Sequence, residues 1–252
     1  MAIRLGWLLA KAYLLRMDSL AIVRHEAVPL GIGYYSVPEA ARLLGMPTRT
    51  INRWLGGYSY SNRGMPSAME PLWIPQLPKV DSRIELGFRD LMELRFVQAF
   101  VKAGLGLYTI RRCLAYAREC VDDPRPFSTR RFRTDGRTIF LDTLNKSGSS
   151  ELLDLKQHQY VLGKVIENSF KDLDIDNTTV ARWRPFNGKA SIVIDPTRAF
   201  GQPIAASFGV TTESLADAVV AEGSTSRVAY LFEVSSSVVR DAVNFEKRLQ
   251  LA

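Results

Sequence analysis

Cysteine and histidine are scarce in this chain, with two of each among 252 residues. Cys113 and Cys120 stand seven apart in a helical pattern with no histidine near them, so the spacing of a zinc site is absent. They read as buried thiols on one helix face, which suits a reducing cytosol and a cytoplasmic location. His25 lies near the start and His158 in a polar helical stretch, and neither belongs to a catalytic motif. The chain also lacks a P-loop, a nucleophile elbow and a dinucleotide fingerprint. Enzyme activity is therefore not expected, and no cofactor or metal is implied. Long apolar runs are missing too. The opening "MAIRLGWLLAKAYLLRM" is interrupted by Lys11 and is shorter than the roughly 18 apolar residues a membrane span requires. No small-residue cleavage site follows it, so residues 1–33 read as a leader or extension, with Met17 as an alternative start.

Basic residues, in contrast, are plentiful and unevenly placed. The formal net charge is +7, and residues 34–142 hold 17 basic against 11 acidic side chains, whereas residues 191–252 hold 5 against 7. A polyanionic partner is expected for the first region and not for the last. With 46% hydrophobic residues the chain can form two modest cores.

Ser36 followed by Glu39 makes a capping box, so a helix is expected from Val37, with Val37, Ala40, Ala41 and Leu44 on its inner face. Gly45 closes it. Pro47 and Thr48 open a second helix in which Ile51, Trp54 and Leu55 face inward before Gly56 and Gly57 end it. Ala41, Gly45, Ile51 and Trp54 meet the needs of a helix-turn-helix: a small residue at the crossing, a turn glycine, and apolar locks on the second helix. That pattern leaves Arg49, Asn52 and Arg53 outward, where arginine pairs with guanine or phosphate and asparagine with adenine. The competing reading is a solvated face in a structural bundle.

Residues 58–80 read as an extended wing with "PLWI" as its strand-like piece, and residues 84–120 as two helices broken at "AGLGL". "STRRFRTDGRTIFLDT" reads as a β-hairpin around Asp135-Gly136, carrying Arg130, Arg131, Arg133 and Arg137 for phosphate contact. A solvated hairpin packed through Phe132, Ile139 and Phe140 is the alternative. With the second helix, these cations would neutralise about six phosphates, making binding steeply salt-dependent. Residues 143–189 read as a connecting segment. Residues 190–210 read as two strands about a Pro/Gly turn, and at least three helices complete the chain. The fold class is mainly α with small β elements. "VAYLFEVSSSVVRDAV" repeats the helix-turn-helix offsets at Ala229, Glu233, Val239 and Ala242. The glutamate at the turn, the face of Ser236, Ser237 and Arg240 in place of a basic one, and the acidic balance favour a protein-binding or dimerising role there over DNA.

"YYSVPEAARLLGMPTRTINRWLGGY" followed by "FRDLMELRFVQAFVKAGLGLYTIRRCL" resembles the DNA-binding head of the MerR family over residues 34–120. The resemblance implies a winged helix-turn-helix with Thr48, Arg49, Asn52 and Arg53 in the major groove and Arg63 on a wing. No long dimerisation helix or cysteine cluster follows it. Residues 190–250 resemble the VapB-like antitoxin domains through Asp195, Pro196, Gly201, Gln202, Pro203, Gly209, Val210, Leu215, Ala229, Val234, Val239, Ala242 and Phe245. Where that family carries a "GTR"-like motif, this chain has "AASFGV". The Asp-Pro and Gly-Gln-Pro pieces also read as ordinary turn chemistry. The two resemblances together imply a DNA-binding antitoxin of a type II toxin–antitoxin system. Such a protein represses its own operon and neutralises a toxin of PIN-like ribonuclease fold.

The expected layout is 1–33 leader, 34–142 DNA-binding domain, 143–189 connector and 190–252 interaction domain. The expected partners are double-stranded DNA, a PIN-like toxin and a second copy of the chain, with no membrane. A stand-alone MerR-like regulator or excisionase-type architectural protein, whose last domain dimerises or senses a ligand, is the alternative. A pure protein-interaction adaptor is a third.

Overall fold

The computed structural model describes residues 30–62, 65–145 and 152–251. Its first elements follow local chemistry. Strand β1, Tyr35–Ser36, pairs antiparallel with β4, Glu85–Leu86. Helix α1, Val37–Leu44, begins at the expected capping box: the Ser36 amide donates to Glu39 Oε2 at 2.8 Å while the Ser36 hydroxyl accepts from the Glu39 amide. It ends at Gly45, whose φ of +58° is the left-handed geometry that glycine adopts without a Cβ penalty. Helix α2, Thr48–Gly56, follows, with Ile51, Trp54 and Leu55 buried.

Strands β2, Tyr58–Asn62, and β3, Met65–Met69, form an antiparallel hairpin directly after α2. Gly57 makes this possible. A Cβ there would lie 2.6 Å from the Met69 carbonyl oxygen, and its φ is +71°. The strand expected at "PLWI" is not one. Leu72 and Trp73 are instead buried in an irregular segment, because the Trp73 indole donates to Asp90 at 3.0 Å. Asp90 also accepts from the Gln76 and Gly87 amides and pairs with Arg125 at 2.7 Å, so one buried carboxylate fastens the loop to its helix.

Helices α3, Phe88–Lys102, and α4, Leu107–Val121, match the expected pair. Arg111 and Arg118 on α4 reach the carbonyls of Glu70, Pro71 and Leu72, fixing the segment after the hairpin. A short 3-10 turn, Pro126–Ser128, leads to α5, Arg130–Asn145. This helix replaces the basic hairpin expected at residues 128–140. Asp135-Gly136 is a strong local turn signal, but Phe132, Ile139, Phe140 and Thr143 lie on one buried helical face. The Thr129 hydroxyl accepts from the Phe132 amide at 3.1 Å and caps the first turn. Phe132 and Phe140 join Phe96, Phe100, Phe127 and Phe170 in a cluster with ring centroids as close as 4.8 Å. Burying two phenylalanines outweighs a turn preference of about 1 kcal/mol. Gly136 leaves room for the Phe132 ring, which lies 3.0 Å from where a Cβ would be.

Helix α6, Leu152–Phe170, carries the chain to β5, Leu173–Asp176, and β6, Thr179–Trp183. These pair with β7, Ile192–Ile194, and β8, Pro203–Ala205, in one antiparallel sheet of order β5-β6-β7-β8. The boundary expected at residue 190 thus falls inside a sheet. Helices α7, Thr212–Glu222, α8, Thr225–Leu231, and α9, Ser236–Gln250, are the three expected after the strands. They enclose a second core of Ala205, Leu215, Val228, Ala229, Val234, Val239 and Ala242.

The last helices are joined to the first. The Tyr34 amide donates to the Phe200 carbonyl at 2.9 Å, and the buried Tyr35 hydroxyl donates to the Gly201 carbonyl at 2.7 Å. Leu43 of α1 and Leu249 of α9 pack against the same small core of Phe186, Ile192 and Phe245.

Candidate nucleic-acid interface

Helix α2 is nine residues long, and its two sides differ completely. Ile51, Trp54 and Leu55 are sealed against α1 and the main core, while Thr48, Arg49, Asn52 and Arg53 are all exposed. The tight turn at Gly45 positions this face. Its amide and that of Met46 donate back to Arg42 and Ala41, at 3.3 and 3.0 Å. Four polar side chains, two of them guanidinium groups, therefore stand on the outer side of a short helix anchored along its inner side. Such a face can donate to phosphate oxygens and base edges.

Arg53 is oriented as well as exposed. Its guanidinium lies 4.0 Å from the centroid of the Tyr58 ring, the first residue of the hairpin. Arg63, expected on the wing, lies outside the described residues.

Arg130, Arg131, Arg133 and Arg137 are exposed on α5, not on a ribbon. Arg131 pairs with Asp135 at 3.8 Å, an exposed pair one turn apart. Arg133 and Arg137 instead line a cleft with Lys171 and Arg184, beside Asn168 and Glu167. The arginines of α5 thus face more than one way. Sequence patterning also does not reveal β5 and β6; Leu173 of β5 and Arg184, just after β6, line that cleft. The turn at Asn177, with φ of +48°, is their one local signal.

Other polar groups act within the scaffold. Burial pushes the Glu93 carboxyl up to about 7, against the lowering effect of amides from Ser128 and Phe127 and the charge of Arg89. Burial likewise pushes the Tyr35 phenol well up, so it remains a donor to Gly201. Cys113 is buried and Cys120 half-buried on α4, and both are free thiols. Among the described residues, no group of three or more His, Cys, Asp or Glu is placed to hold a metal ion. Nor is any helix among them long and apolar enough to cross a membrane.

Residues 33–114, which contain α1, α2, the hairpin and α3, match a family model described as "Putative DNA-binding HTH domain". The chain carries a helix-turn-helix domain. Over 221 residues it is 27% identical to "Putative antitoxin VapB45" of Mycobacterium tuberculosis (strain ATCC 25618 / H37Rv), across 83% of this chain and 92% of that protein. Its fold is similar to that in an X-ray crystal structure of Rv2018 from Mycobacterium tuberculosis, with a TM-score of 0.67 and 23% identity. That likeness covers 86% of this chain and 99% of the other. The similarity therefore runs through the sheet and the last helices as well as the helix-turn-helix.

Proposed function

We propose that this chain is an antitoxin that binds operator DNA through α2, represses its own operon, and neutralises a toxin of PIN-like ribonuclease fold. The observation that carries the DNA half is the outer face of α2, with Thr48, Arg49, Asn52 and Arg53 exposed over a buried Ile51–Trp54–Leu55 side. In a MerR-like mode this helix enters the major groove and the β2–β3 hairpin follows the backbone as a wing. The antitoxin half is supported by similarity to VapB45 over nearly the whole of that protein. Because operators for such heads have two-fold symmetry, the chain acts as a homodimer in the cytoplasm. It works by binding, not by catalysis.

The test uses the full chain co-expressed with the product of a neighbouring toxin gene. Arg49→Ala and Arg53→Ala are each expected to weaken binding to the DNA upstream of the operon by about tenfold or more, while the toxin still co-purifies. Unchanged DNA affinity in both variants at equal salt removes the groove assignment. A chain that captures no toxin removes the antitoxin half.

A further inference from the structure

We infer that the chain holds a second DNA-contacting helix-turn-helix, α8–α9, whose exposed stripe Ser237, Arg240, Asn244 and Lys247 meets the duplex beside α2. The inference rests on the DNA-binding reading above and extends it to a surface that the acidic balance of residues 191–252 assigns to protein.

The first ground is backbone identity of the two turns. In the first pair the Met46 amide donates to the Ala41 carbonyl at 3.0 Å and the Gly45 amide to Arg42 at 3.3 Å. In the second the Val234 amide donates to Ala229 at 3.0 Å and the Glu233 amide to Tyr230 at 3.3 Å. Gly45 has φ of +58° and Glu233 φ of +54°. The residues that open the second helices, Pro47 and Ser235, are both extended, at φ −63°, ψ 136° and φ −72°, ψ 146°. The inward positions correspond in turn: Ala41 with Ala229, Ile51 with Val239, Trp54 with Ala242, all buried. A glutamate at the turn costs about 1–2 kcal/mol in left-handed geometry, yet the turn forms as the glycine turn does. The substitution thus does not remove the motif.

The second ground is the chemistry of the exposed side. Helix α9 has 15 residues where α2 has nine, and Ser237, Arg240, Asn244 and Lys247 recur at three- and four-residue steps along it, all exposed. In this register Asp241 takes the place of Arg53 next to Arg240, and its carboxylate is bound by Lys189 at 2.8 Å and Ser191 at 2.7 Å, while Glu246 accepts from the Thr212 hydroxyl. The remaining acids of the segment lie elsewhere: Glu213, Asp217 and Glu222 on α7, Glu233 in the turn and the buried Asp195 beyond β7. Residues 191–252 are acidic as a whole, but this face carries two cations, an amide and a hydroxyl. Arginine and asparagine offer paired contacts to guanine and adenine, while lysine and serine contact phosphate. Both reading helices belong to one scaffold, joined through Tyr35–Gly201 and through Leu43 and Leu249, so a bound site has two parts at a spacing set by the protein.

The experiment compares full-length wild type, the triple variant Arg240→Ala/Asn244→Ala/Lys247→Ala, and Arg49→Ala. Each is applied to a random-sequence duplex library and to DNA upstream of the operon, with hydroxyl-radical footprints and affinities at several salt concentrations. The wild type is expected to select two blocks of preferred sequence. The triple variant keeps the block lost in Arg49→Ala, loses the other, binds roughly tenfold or more weakly, and has a log–log salt slope shallower by about 2. All three substituted residues are exposed, and circular dichroism checks that the fold is kept. A triple variant with wild-type footprint, affinity and salt slope overturns the second head while leaving α2 in place. Loss of toxin capture in that variant with DNA binding intact assigns the face to protein and likewise overturns it. Wild type that retains no duplex sinks this inference and the DNA-binding reading together.

Discussion

The guanidinium of Arg53 rests 4.0 Å from the centre of the Tyr58 ring, so the outer face of α2 and the first strand of the hairpin share one contact. An arginine stacked on an aromatic ring is restricted before any ligand arrives, and a restricted side chain loses less entropy on binding. Tyr58→Leu keeps an apolar side chain but removes the ring. It is expected to weaken DNA binding about two- to fivefold, corresponding to roughly 0.5–1 kcal/mol, and Tyr58→Phe to leave it unchanged. Titrations of the three proteins against one duplex at fixed salt check this. Equal affinities would show that the stacking has no part in binding.

Gly57 bears on the same region through the backbone. Its φ is +71°, and the Met69 carbonyl oxygen lies 2.6 Å from where a Cβ would stand, which leaves no room for Ala. Gly57→Ala is expected to lower stability by about 1–3 kcal/mol and to shift the hairpin, an effect read from thermal melts and from protease susceptibility near residues 58–69.

Tyr35→Phe removes the hydroxyl that donates to Gly201 and leaves a buried carbonyl unpaired. The expected cost is about 1–3 kcal/mol in chemical denaturation. Hydrogen exchange should rise around residues 199–205, opposite the lost donor. Protection unchanged on that segment would mean that other contacts carry the joint.

Glu93 predicts a pH dependence with a definite sign. Its carboxyl has an ordinary value of 4.5, and burial raises it to about 7 in the folded chain. Between these values the folded state holds a proton that the unfolded state has released, so this group's contribution falls as pH rises from 4.5 through 7. Glu93→Gln removes the titration. The unfolding free energy of the variant relative to wild type, from chemical denaturation at a series of pH values, should therefore climb over that window and then level off, by an amount on the order of 3 kcal/mol at most. A difference that stays flat with pH would place the titration elsewhere.

Where sequence and structure agree, the signal is local. The Ser36–Glu39 box, the turn at Gly45 and the period of Ile51, Trp54 and Leu55 each depend on neighbours within one or two helical turns, and α1 and α2 follow from them. The exposure of Arg49 and Arg53 follows from the same period. Helix α5 departs from its expected hairpin because Asp135-Gly136 is visible locally, whereas the phenylalanines that hold Phe132 and Phe140 in place come from residues as distant as Phe96 and Phe100. Strands β5 and β6 escape sequence patterning for a similar reason. They are short, and Trp183 is fixed by partners remote in sequence: Asp172 accepts from its indole at 2.9 Å, and Arg95 of α3 lies over its ring. The stripe on α9 is hidden by averaging, since the net charge of a segment says nothing about how its charges divide between faces.

The shared seating of Leu43 and Leu249 against Phe186, Ile192 and Phe245 has an energetic corollary. Any molecule that tightens α9 onto this seat also stabilises α1, and thermodynamic reciprocity requires that a molecule gripping the α1–α2 pair return the same factor to whatever binds at the far end. Two ligands of this chain would sense each other through a patch of leucine and phenylalanine that neither of them touches.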